Sequence, residues 1–198
     1  VVYDCVGMRY PLIDSNRADL VDMRRCVAEA LAVVSISQGV AADVKRLLGR
    51  DSTVAYCGVP QDYGHVTTAD IARFQQFVGK PYVLVVGNRG LYKNVQALYQ
   101  AWRLWEGRHT HRLLCIGGEQ LLPQDEAFSQ ATGDTWLHMT LDDHDLQLAY
   151  AGATALCYPS LMEGFGLPMV EAMACACPVI CDEAIHEIAG DAAFYCDV

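Results

Sequence analysis

Two glutamates with seven residues between them are the side chains of this sequence best placed to do chemistry. Glu163 lies in a loop with Gly164 and Gly166, and Glu171 lies about one turn inside a helix predicted to begin at Pro168. Helix N-termini attract anions, because their first N–H groups lack intrahelical partners and the helix dipole is positive there. Carboxylates flanking an anion site suit a ligand that also carries hydroxyl groups, such as a nucleoside diphosphate sugar.

The sequence around these glutamates is similar to the E-x7-E motif of retaining GT-B glycosyltransferases, and of glycosyltransferase family 4 in particular. Three strings carry the resemblance: Tyr158-Pro159-Ser160, Glu163-Gly164-Phe165-Gly166-Leu167-Pro168 and Glu171-Ala172-Met173-Ala174-Cys175. Two glutamates at this spacing are weak evidence alone, but together with the second string they make a specific match. The alternative is an ordinary turn from sheet to helix with solvated carboxylates.

The resemblance implies a role for each part of the motif. Glu163 is expected to be catalytic, lying by the donor sugar and contacting its hydroxyl groups, and Glu171 is expected to bind the ribose hydroxyls. The donor diphosphate is expected on four successive loop residues: Gly164, Phe165, Gly166 and Leu167. Retention of configuration is implied as well, and both same-face attack and a covalent intermediate remain open.

A glycine-containing turn at residues 87–94 brings two cations to the end of a predicted strand. Arg89 can bind phosphate oxygens through two hydrogen bonds, and Lys93 acts as a point charge. The turn resembles the strand-Gly-x-Arg…Lys-Asn element of the same family, whose Arg and Lys bind the donor diphosphate, which implies that role for Arg89 and Lys93. The alternative is the solvated start of a helix.

The segment His138-Met139-Thr140-Leu141 corresponds to the one that holds the nucleotide base in the family. The resemblance therefore implies base contacts for His138, Met139 and Leu141. Most related sequences have a glycine near this position, so the departure leaves the base undecided. The pair Gly117-Gly118 permits close approach of the backbone to a ligand, or only a turn.

The composition of the chain argues against some classes of binding partner. The chain has 198 residues and a formal net charge of −10, and no Lys or Arg follows Arg112. This acidity argues against nucleic acid and against anionic membrane surfaces. Arg89, Lys93 and backbone amides can stabilise the departing diphosphate without a metal ion, so neither a metal nor a cofactor is predicted.

Nine cysteines, mostly within apolar runs, are typical of a reduced cytosolic protein rather than of a disulfide framework. Cys175, Cys177 and Cys181, with His186 nearby, could also be interpreted as metal ligands. Their spacing matches no familiar zinc pattern, which favours small apolar residues at a helix end and in a strand.

Short apolar runs alternate with helical patterns along most of the chain, which predicts an α/β fold with a parallel sheet flanked by helices. Residues 1–10 are predicted to contain a strand and its following loop. Further strands are predicted at residues 32–36, 53–56, 82–86, 112–116, 136–139, 155–158, 179–181 and 193–195. Helices are predicted at residues 16–31, 38–48, 70–78, 94–105, 124–130, 143–151 and 168–176. Ser15, Ser37 and Asp142 are predicted N-caps, and Gly49 is a predicted helix stop.

Three regions follow from this pattern and from the resemblance to GT-B enzymes. Residues 1–60 are predicted to be the end of a first, acceptor-side Rossmann-like domain, residues 61–80 a connection, and residues 81–198 a donor-binding Rossmann-like domain. The first residue is not Met, and the early strands of the first domain and the final helices of the full fold are absent. We therefore expect the chain to belong to a longer protein and to be inactive in transfer by itself.

The resemblance implies a retaining hexosyltransferase that moves sugar from a nucleotide-sugar donor to a glycan or lipid-linked acceptor in polysaccharide biosynthesis. It implies a cytoplasmic protein and leaves open a peripheral association with the inner face of a membrane through the missing N-terminal half. Two alternatives remain: a non-catalytic nucleotide-sugar-binding or assembly module of the same fold, and another GT-B-shaped enzyme such as an epimerase. Glu163, Glu171, Arg89 and Lys93 together favour the transferase.

Overall fold

The computed structural model describes residues 1–9, 17–118 and 120–197. Its N-terminal portion contains three helices and a two-stranded parallel sheet: α1 (Val6–Arg9), α2 (Arg17–Glu29), β1 (Val34–Ser35), α3 (Gln38–Leu48) and β2 (Thr53–Val54). Helix α4 (Thr68–Val78) leads from this portion towards the main sheet. The predicted limits of the three regions, at residues 60 and 80, stay predictions.

Six parallel strands form the main sheet, and helices follow most of them. The strands are β3 (Tyr82–Val86), β4 (Arg112–Ile116), β5 (Trp136–Met139), β6 (Ala155–Tyr158), β7 (Val179–Cys181) and β8 (Phe194–Tyr195). The helices are α5 (Val95–Leu104), α6 (Pro123–Thr132), α7 (Asp143–Gly152), α8 (Leu167–Ala174) and α9 (His186–Ala189). The predicted α/β architecture with a parallel sheet flanked by helices is confirmed.

The strand order is β5-β4-β3-β6-β7-β8, so the direction in which strands are added reverses between β3 and β6. These two strands pair in parallel, with Val83 beside Ala155 and Leu84 beside Leu156. Ligands of open parallel sheets bind at the carboxyl ends of the strands at such a reversal. The topology therefore predicts a ligand site at the two loops that follow β3 and β6.

Apolar side chains are buried on both faces of the sheet. Leu84, Leu114 and Leu156 lie in one core cluster, whereas Val83 and Leu113 lie in another on the opposite face. A sheet covered on both faces needs apolar residues at successive positions rather than at alternate ones, which is why the strands are continuous apolar runs.

Local capping residues set several helix ends as predicted. The Ser37 hydroxyl accepts a hydrogen bond from the Val40 N–H (3.1 Å), and Gly49 ends α3 with a left-handed φ of 69°. Asp142 accepts from the Asp145 N–H at 2.9 Å at the start of α7. The predicted cap at Ser15 lies outside the described residues.

The predicted strand at residues 1–10 is wrong over the residues that the structure describes. Val2 makes a parallel bridge with Ser35, but the chain then turns into the short helix α1. The reason is local: the Asp4 carboxylate accepts a hydrogen bond from the Val6 N–H at 3.0 Å, which favours a turn over an extended strand. Tyr10 lies outside the described residues.

The N-terminal portion packs against the loop that follows β6. Phe165 is buried in the apolar cluster of that portion, together with Val2 and Val40. The Ser37 hydroxyl donates to the Gly164 carbonyl at 2.6 Å. Glu187 adds a second contact, because its two carboxylate oxygens accept from the first N–H groups of α3 at 2.5 and 2.9 Å.

None of the described helices is long and apolar enough to cross a membrane.

Candidate functional site

The loops after β3 and β6 meet at the reversal point of the sheet. The Leu161 N–H donates to the Tyr92 carbonyl at 2.9 Å, which ties one loop to the other. Each loop brings one of the charged residues that the sequence analysis selected. The site is therefore built from the two strand ends where the fold predicts a ligand.

Lys93 and Glu163 form an ion pair across these loops. Lys93 ends a single 3-10 turn, and Asn94 then adopts a left-handed conformation (φ 50°), which Asn tolerates better than most residues. The Lys93 Nζ lies 2.6 Å from Glu163 Oε1, and the two side chains are only 13% and 10% exposed. Sequence analysis predicted that both residues belong to one site, and the structure brings them together.

Two tyrosines surround the Lys93 ammonium group. Its Nζ lies 5.2 Å from the ring centre of Tyr92 and 5.3 Å from that of Tyr158, within range of cation–π attraction. It also lies 3.4 Å from the Tyr158 hydroxyl oxygen. Burial, with the nearby Glu163 carboxylate, raises the pKa of Tyr158, so its hydroxyl stays neutral beside the ion pair.

Helix α8 begins at the same place. Gly166 precedes it with a φ of 94°, a conformation that a side chain disfavours, and its carbonyl accepts from the Met169 N–H at 3.0 Å. Leu167 is the first helical residue and Pro168 the second. Helix geometry leaves the first N–H groups without intrahelical acceptors, so the Gly166 and Leu167 amides suit the predicted contact with a diphosphate. That contact stays a prediction.

Gly164 and Phe165 have a structural reason for their identity that sequence analysis did not find. A Cβ atom at Gly164 would lie 2.0 Å from the Tyr3 carbonyl oxygen, so the backbone here approaches the chain itself. The Phe165 side chain is buried, with its ring centre 6.1 Å from that of Tyr56. Only their backbone groups can reach a diphosphate, and that contact also stays a prediction.

Glu171 lies inside α8 and contacts a buried tyrosine. The Tyr150 hydroxyl, on α7, donates to Glu171 Oε2 at 2.9 Å, and Tyr150 is fully buried. Burial raises the pKa of Glu171, and the hydrogen bond from Tyr150 opposes this rise. One carboxylate oxygen is thereby fixed in place. The predicted ribose contact of Glu171 stays a prediction.

Arg89 pairs with a different carboxylate from Lys93. Its Nε donates to Asp125 Oδ2 at 2.7 Å. The Arg89 side chain is only 3% exposed and that of Asp125 is 0% exposed. The structure therefore does not bring Arg89 to the Lys93–Glu163 pair, and its predicted contact with the diphosphate stays a prediction.

The predicted base-binding residues lie at and just after the end of β5. His138 is half-buried, and its Nε2 lies 3.0 Å from the Gly117 carbonyl oxygen. The Met139 carbonyl accepts from the Gly117 N–H at 3.2 Å, and Leu141 is partly buried against the core. The three residues thus border the loop after β4, and their contacts with a base stay predictions.

A cavity of about 480 Å³ adjoins these loops. It is lined by residues of three segments: Asp4, Val6 and Gly7; Asn88, Arg89, Gly90 and Tyr92; Gly118, Gln120 and Leu122. The volume is within the usual range of small-molecule sites. The N-terminal segment, including Asp4, therefore contributes to the walls of this cavity, which adjoins the candidate site.

The cysteines offer no alternative site within the described residues. All nine thiols are free, and no group of three or more His, Cys, Asp or Glu side chains in the described ranges is arranged to hold a metal ion. Burial raises the pKa of Cys175, Cys177 and Cys181 to about 11. All three residues are buried, as expected for small apolar residues at a helix end and in a strand.

Sequence analysis missed three residues that contact the predicted site residues. Tyr158 was predicted only as the end of a strand and as part of the family motif. Tyr150 and Asp125 were predicted only as residues of helices. Each has a signal that is ambiguous in the sequence, since buried tyrosines and helix-start carboxylates are common and mostly structural.

Comparison with known proteins gives one family. The family model described as "Glycosyl transferases group 1" matches residues 67–189. The chain is 34% identical over 131 residues to O-antigen chain mannosyltransferase B of Escherichia coli, an overlap that covers 62% of this chain and 34% of that protein. It is 29% identical over 141 residues to O-antigen chain mannosyltransferase RfbU of Salmonella typhimurium, covering 67% of this chain and 38% of that protein.

A solved structure agrees in fold. Sucrose-phosphate synthase of Thermosynechococcus elongatus superposes with a TM-score of 0.71 and 25% identity, over 86% of this chain and 45% of that chain. The chain thus spans between about a third and a half of the length of these proteins.

Proposed function

Since this chain belongs to the family of group 1 glycosyl transferases, we propose that it binds a nucleotide-sugar donor. We propose further that it supplies the donor side of a hexosyltransferase that acts with retention of configuration. The observation that carries the proposal is the Lys93–Glu163 ion pair at 2.6 Å, which lies at the sheet reversal point together with the N-terminus of α8. A structural ion pair has no need of that position, whereas a diphosphate binds well between an ammonium group and helix amides.

Each charged group has a role in this proposal. Lys93 keeps one N–H for the diphosphate while it remains close to Glu163 and Tyr158, because an ammonium group has three donors. The Gly166 and Leu167 amides bind the other phosphate oxygens. When the bond between the sugar carbon C1 and the diphosphate breaks, these preorganised donors stabilise the charge on the departing diphosphate, which is usually the largest electrostatic contribution.

The two glutamates act on the uncharged parts of the donor. Glu163, oriented by Lys93, accepts hydrogen bonds from the sugar hydroxyls and stabilises positive charge that develops at C1. Glu171, oriented by Tyr150, uses its second oxygen to accept from the ribose hydroxyls. We propose no metal ion in this arrangement, since Lys93 and the backbone amides supply the positive charge that the diphosphate needs.

We propose a glycan or lipid-linked acceptor of polysaccharide biosynthesis, because the two sequence relatives are named as O-antigen chain mannosyltransferases. A mannose-bearing nucleotide is the first donor to test for the same reason. We propose that acceptor binding depends on the parts of the relatives that this chain does not span.

Calorimetric titration of the protein with UDP, GDP, ADP, dTDP and the matching nucleotide sugars tests donor binding. We expect binding of at least one nucleoside diphosphate, and loss of that binding on Lys93→Ala. Lys80→Ala is the matched control, because Lys80 pairs with Asp134 at 2.8 Å beside the other end of β3. Absence of binding to every nucleotide would refute the proposed function.

Transfer is tested separately, by proton NMR of the anomeric position of the product formed on an oligosaccharide acceptor. Retention gives a product with the anomeric configuration of the donor sugar, and the opposite configuration would refute the retaining assignment. Donor binding without any transfer by the longest natural form of the protein would instead support the non-catalytic alternative. The same assay with a chelator present tests whether a metal ion is needed.

A further inference from the structure

The Arg89 guanidinium is surrounded by acceptors of the protein itself. Besides the bond to Asp125, Nη1 donates to the Gly117 carbonyl at 2.6 Å. Nη2 lies 3.3 Å from the Gly118 carbonyl oxygen and 3.2 Å from that of Gln120. With its side chain 3% exposed, Arg89 has little surface left for a phosphate group.

The Asp125 carboxylate is likewise hydrogen-bonded within the protein itself. This carboxylate is fully buried and accepts from the Tyr99 hydroxyl at 2.8 Å and from the Leu122 N–H at 2.9 Å, in addition to Arg89. The Tyr99 ring is stacked on Phe128 with centres 4.0 Å apart, which fixes the hydroxyl. If Arg89 turned towards a ligand, it would leave a buried carboxylate without its cation, an arrangement that proteins avoid.

The contacts of Arg89 set the direction of the loop after β4. In a trans peptide the C=O and the following N–H point in opposite directions. The Gly117 carbonyl that faces Arg89 therefore turns the Gly118 N–H away from it. Gly118 has a φ of 74°, and a Cβ atom there would lie 2.7 Å from Arg89 Nη2, so this close approach requires glycine.

The same loop is part of the candidate donor site. Gly118 and Gln120 line the cavity of about 480 Å³ next to Tyr92, the neighbour of Lys93. His138, a predicted base-binding residue, also contacts the Gly117 carbonyl at 3.0 Å. The guanidinium of Arg89 thus connects residues that line the cavity to the buried carboxylate of Asp125.

We propose that Arg89 is a positioning residue that holds Gly117, Gly118 and Gln120, in the loop after β4, as a wall of the donor site, and that it does not bind the diphosphate. The inference rests on the proposed function for the identity of the ligand. It assigns binding of the diphosphate to Lys93 and the α8 amides. Asp125 and Tyr99 hold the Arg89 side chain in place. This role differs from the one that the sequence resemblance implies for Arg89.

The two roles are separated by comparing a nucleoside monophosphate with the diphosphate of the same base. Replacing a residue that binds the second phosphate lowers the affinity for the diphosphate alone. Replacing a residue that positions the wall lowers the affinities for the monophosphate and the diphosphate by the same factor. We expect Arg89→Lys to weaken the binding of both nucleotides about tenfold and to leave the ratio of their affinities unchanged. The reason is that an ammonium group cannot reach three carbonyls and Asp125 together.

Two further variants sharpen the comparison. Asp125→Asn should resemble Arg89→Lys, whereas Lys93→Met should reduce the ratio of diphosphate to monophosphate affinity. If Arg89 bound the diphosphate directly, Arg89→Lys would reduce the ratio of diphosphate to monophosphate affinity. Asp125→Asn would then leave diphosphate binding unchanged or strengthen it, because the guanidinium would be freed. Either result would overturn the inference.

Amide hydrogen exchange of the ligand-free protein tests the inference without any nucleotide. The Gly117 N–H, which donates to the Met139 carbonyl, and the amides of Gly118 and Gln120 should exchange faster in Arg89→Lys than in the wild type or in Lys93→Met. Unchanged exchange in Arg89→Lys would overturn the positioning role even if the protein bound nucleotides. Faster exchange with no nucleotide binding in the wild type would instead show that the proposed function fails while the positioning role stands.

Discussion

Replacing Lys93 by alanine removes the ammonium group that lies between the two strand ends and leaves the Glu163 carboxylate without its partner. The first consequence for a bound diphosphate is the loss of one charge-assisted hydrogen bond, which contributes about 1.5–3 kcal/mol. The second is repulsion between Glu163 and the diphosphate, at least about 1 kcal/mol, the value for like charges about 4 Å apart in bulk water. We therefore expect a loss of about 2–4 kcal/mol in binding free energy, about 30- to 1000-fold in Kd.

The double variant Lys93→Ala/Glu163→Gln separates these two effects. It lacks the hydrogen bond but also lacks the repulsion, so we expect it to bind the diphosphate about fivefold more tightly than Lys93→Ala. Calorimetry with the tightest-binding nucleoside diphosphate measures the wild type and both variants, and circular dichroism checks that each is folded. Diphosphate affinity unchanged in Lys93→Ala would refute the phosphate role of Lys93, and equal affinities of the single and double variants would refute the repulsion between Glu163 and the ligand.

Three other predictions follow from side chains near the site. Tyr150→Phe should weaken calorimetric binding of a nucleoside diphosphate about tenfold but leave binding of its 2′,3′-dideoxy analogue unchanged; Tyr82→Phe, which removes a buried hydroxyl bonded at 2.9 Å to a carbonyl of α7, should change neither. Burial raises the pKa of Glu171 above its ordinary value of 4.5, so its charged form destabilises the fold. Glu171→Gln should therefore unfold at higher urea concentration than the wild type at pH 7.5, and this advantage should shrink as the pH falls through the raised pKa; an advantage independent of pH would contradict this cause. Phe165→Ala should lower the free energy of unfolding by about 3–5 kcal/mol, because it empties a filled position in the core; a smaller loss in urea titration would show that the loop does not depend on this packing.

Local residue types were enough to predict the elements whose ends depend on neighbours in sequence. Ser37 and Gly49 bound α3 as predicted, because an N-cap hydroxyl and a left-handed glycine act within a few residues. The strand prediction at the N-terminus was wrong for a local reason too, since the bond from the Val6 N–H to Asp4 competes with an extended chain. Apolarity alone could not show that contact.

Contacts between distant parts of the chain divided into two kinds. Lys93 and Glu163 are 70 positions apart, yet their meeting was predictable because both follow parallel strands that end at the same edge. The direction of Arg89 was not, since its partner Asp125 looks like any acidic residue at a helix start. The link between Tyr150 and Glu171 also depends on how α7 packs on α8, which a single sequence does not reveal.

The bracing of the loop after β6 has a consequence for protein engineering. Exchanging the first part of this chain for that of a relative, to build a hybrid with a different acceptor, would also exchange the groups that hold Gly164 and the start of α3. A hybrid with its junction within residues 61–80 would keep the conformation of the loop after β6 only under two conditions. The incoming segment must retain a hydroxyl at position 37, and it must offer free amides for Glu187 to bind. Hybrids that lack them should show weak donor binding even when both halves are well folded.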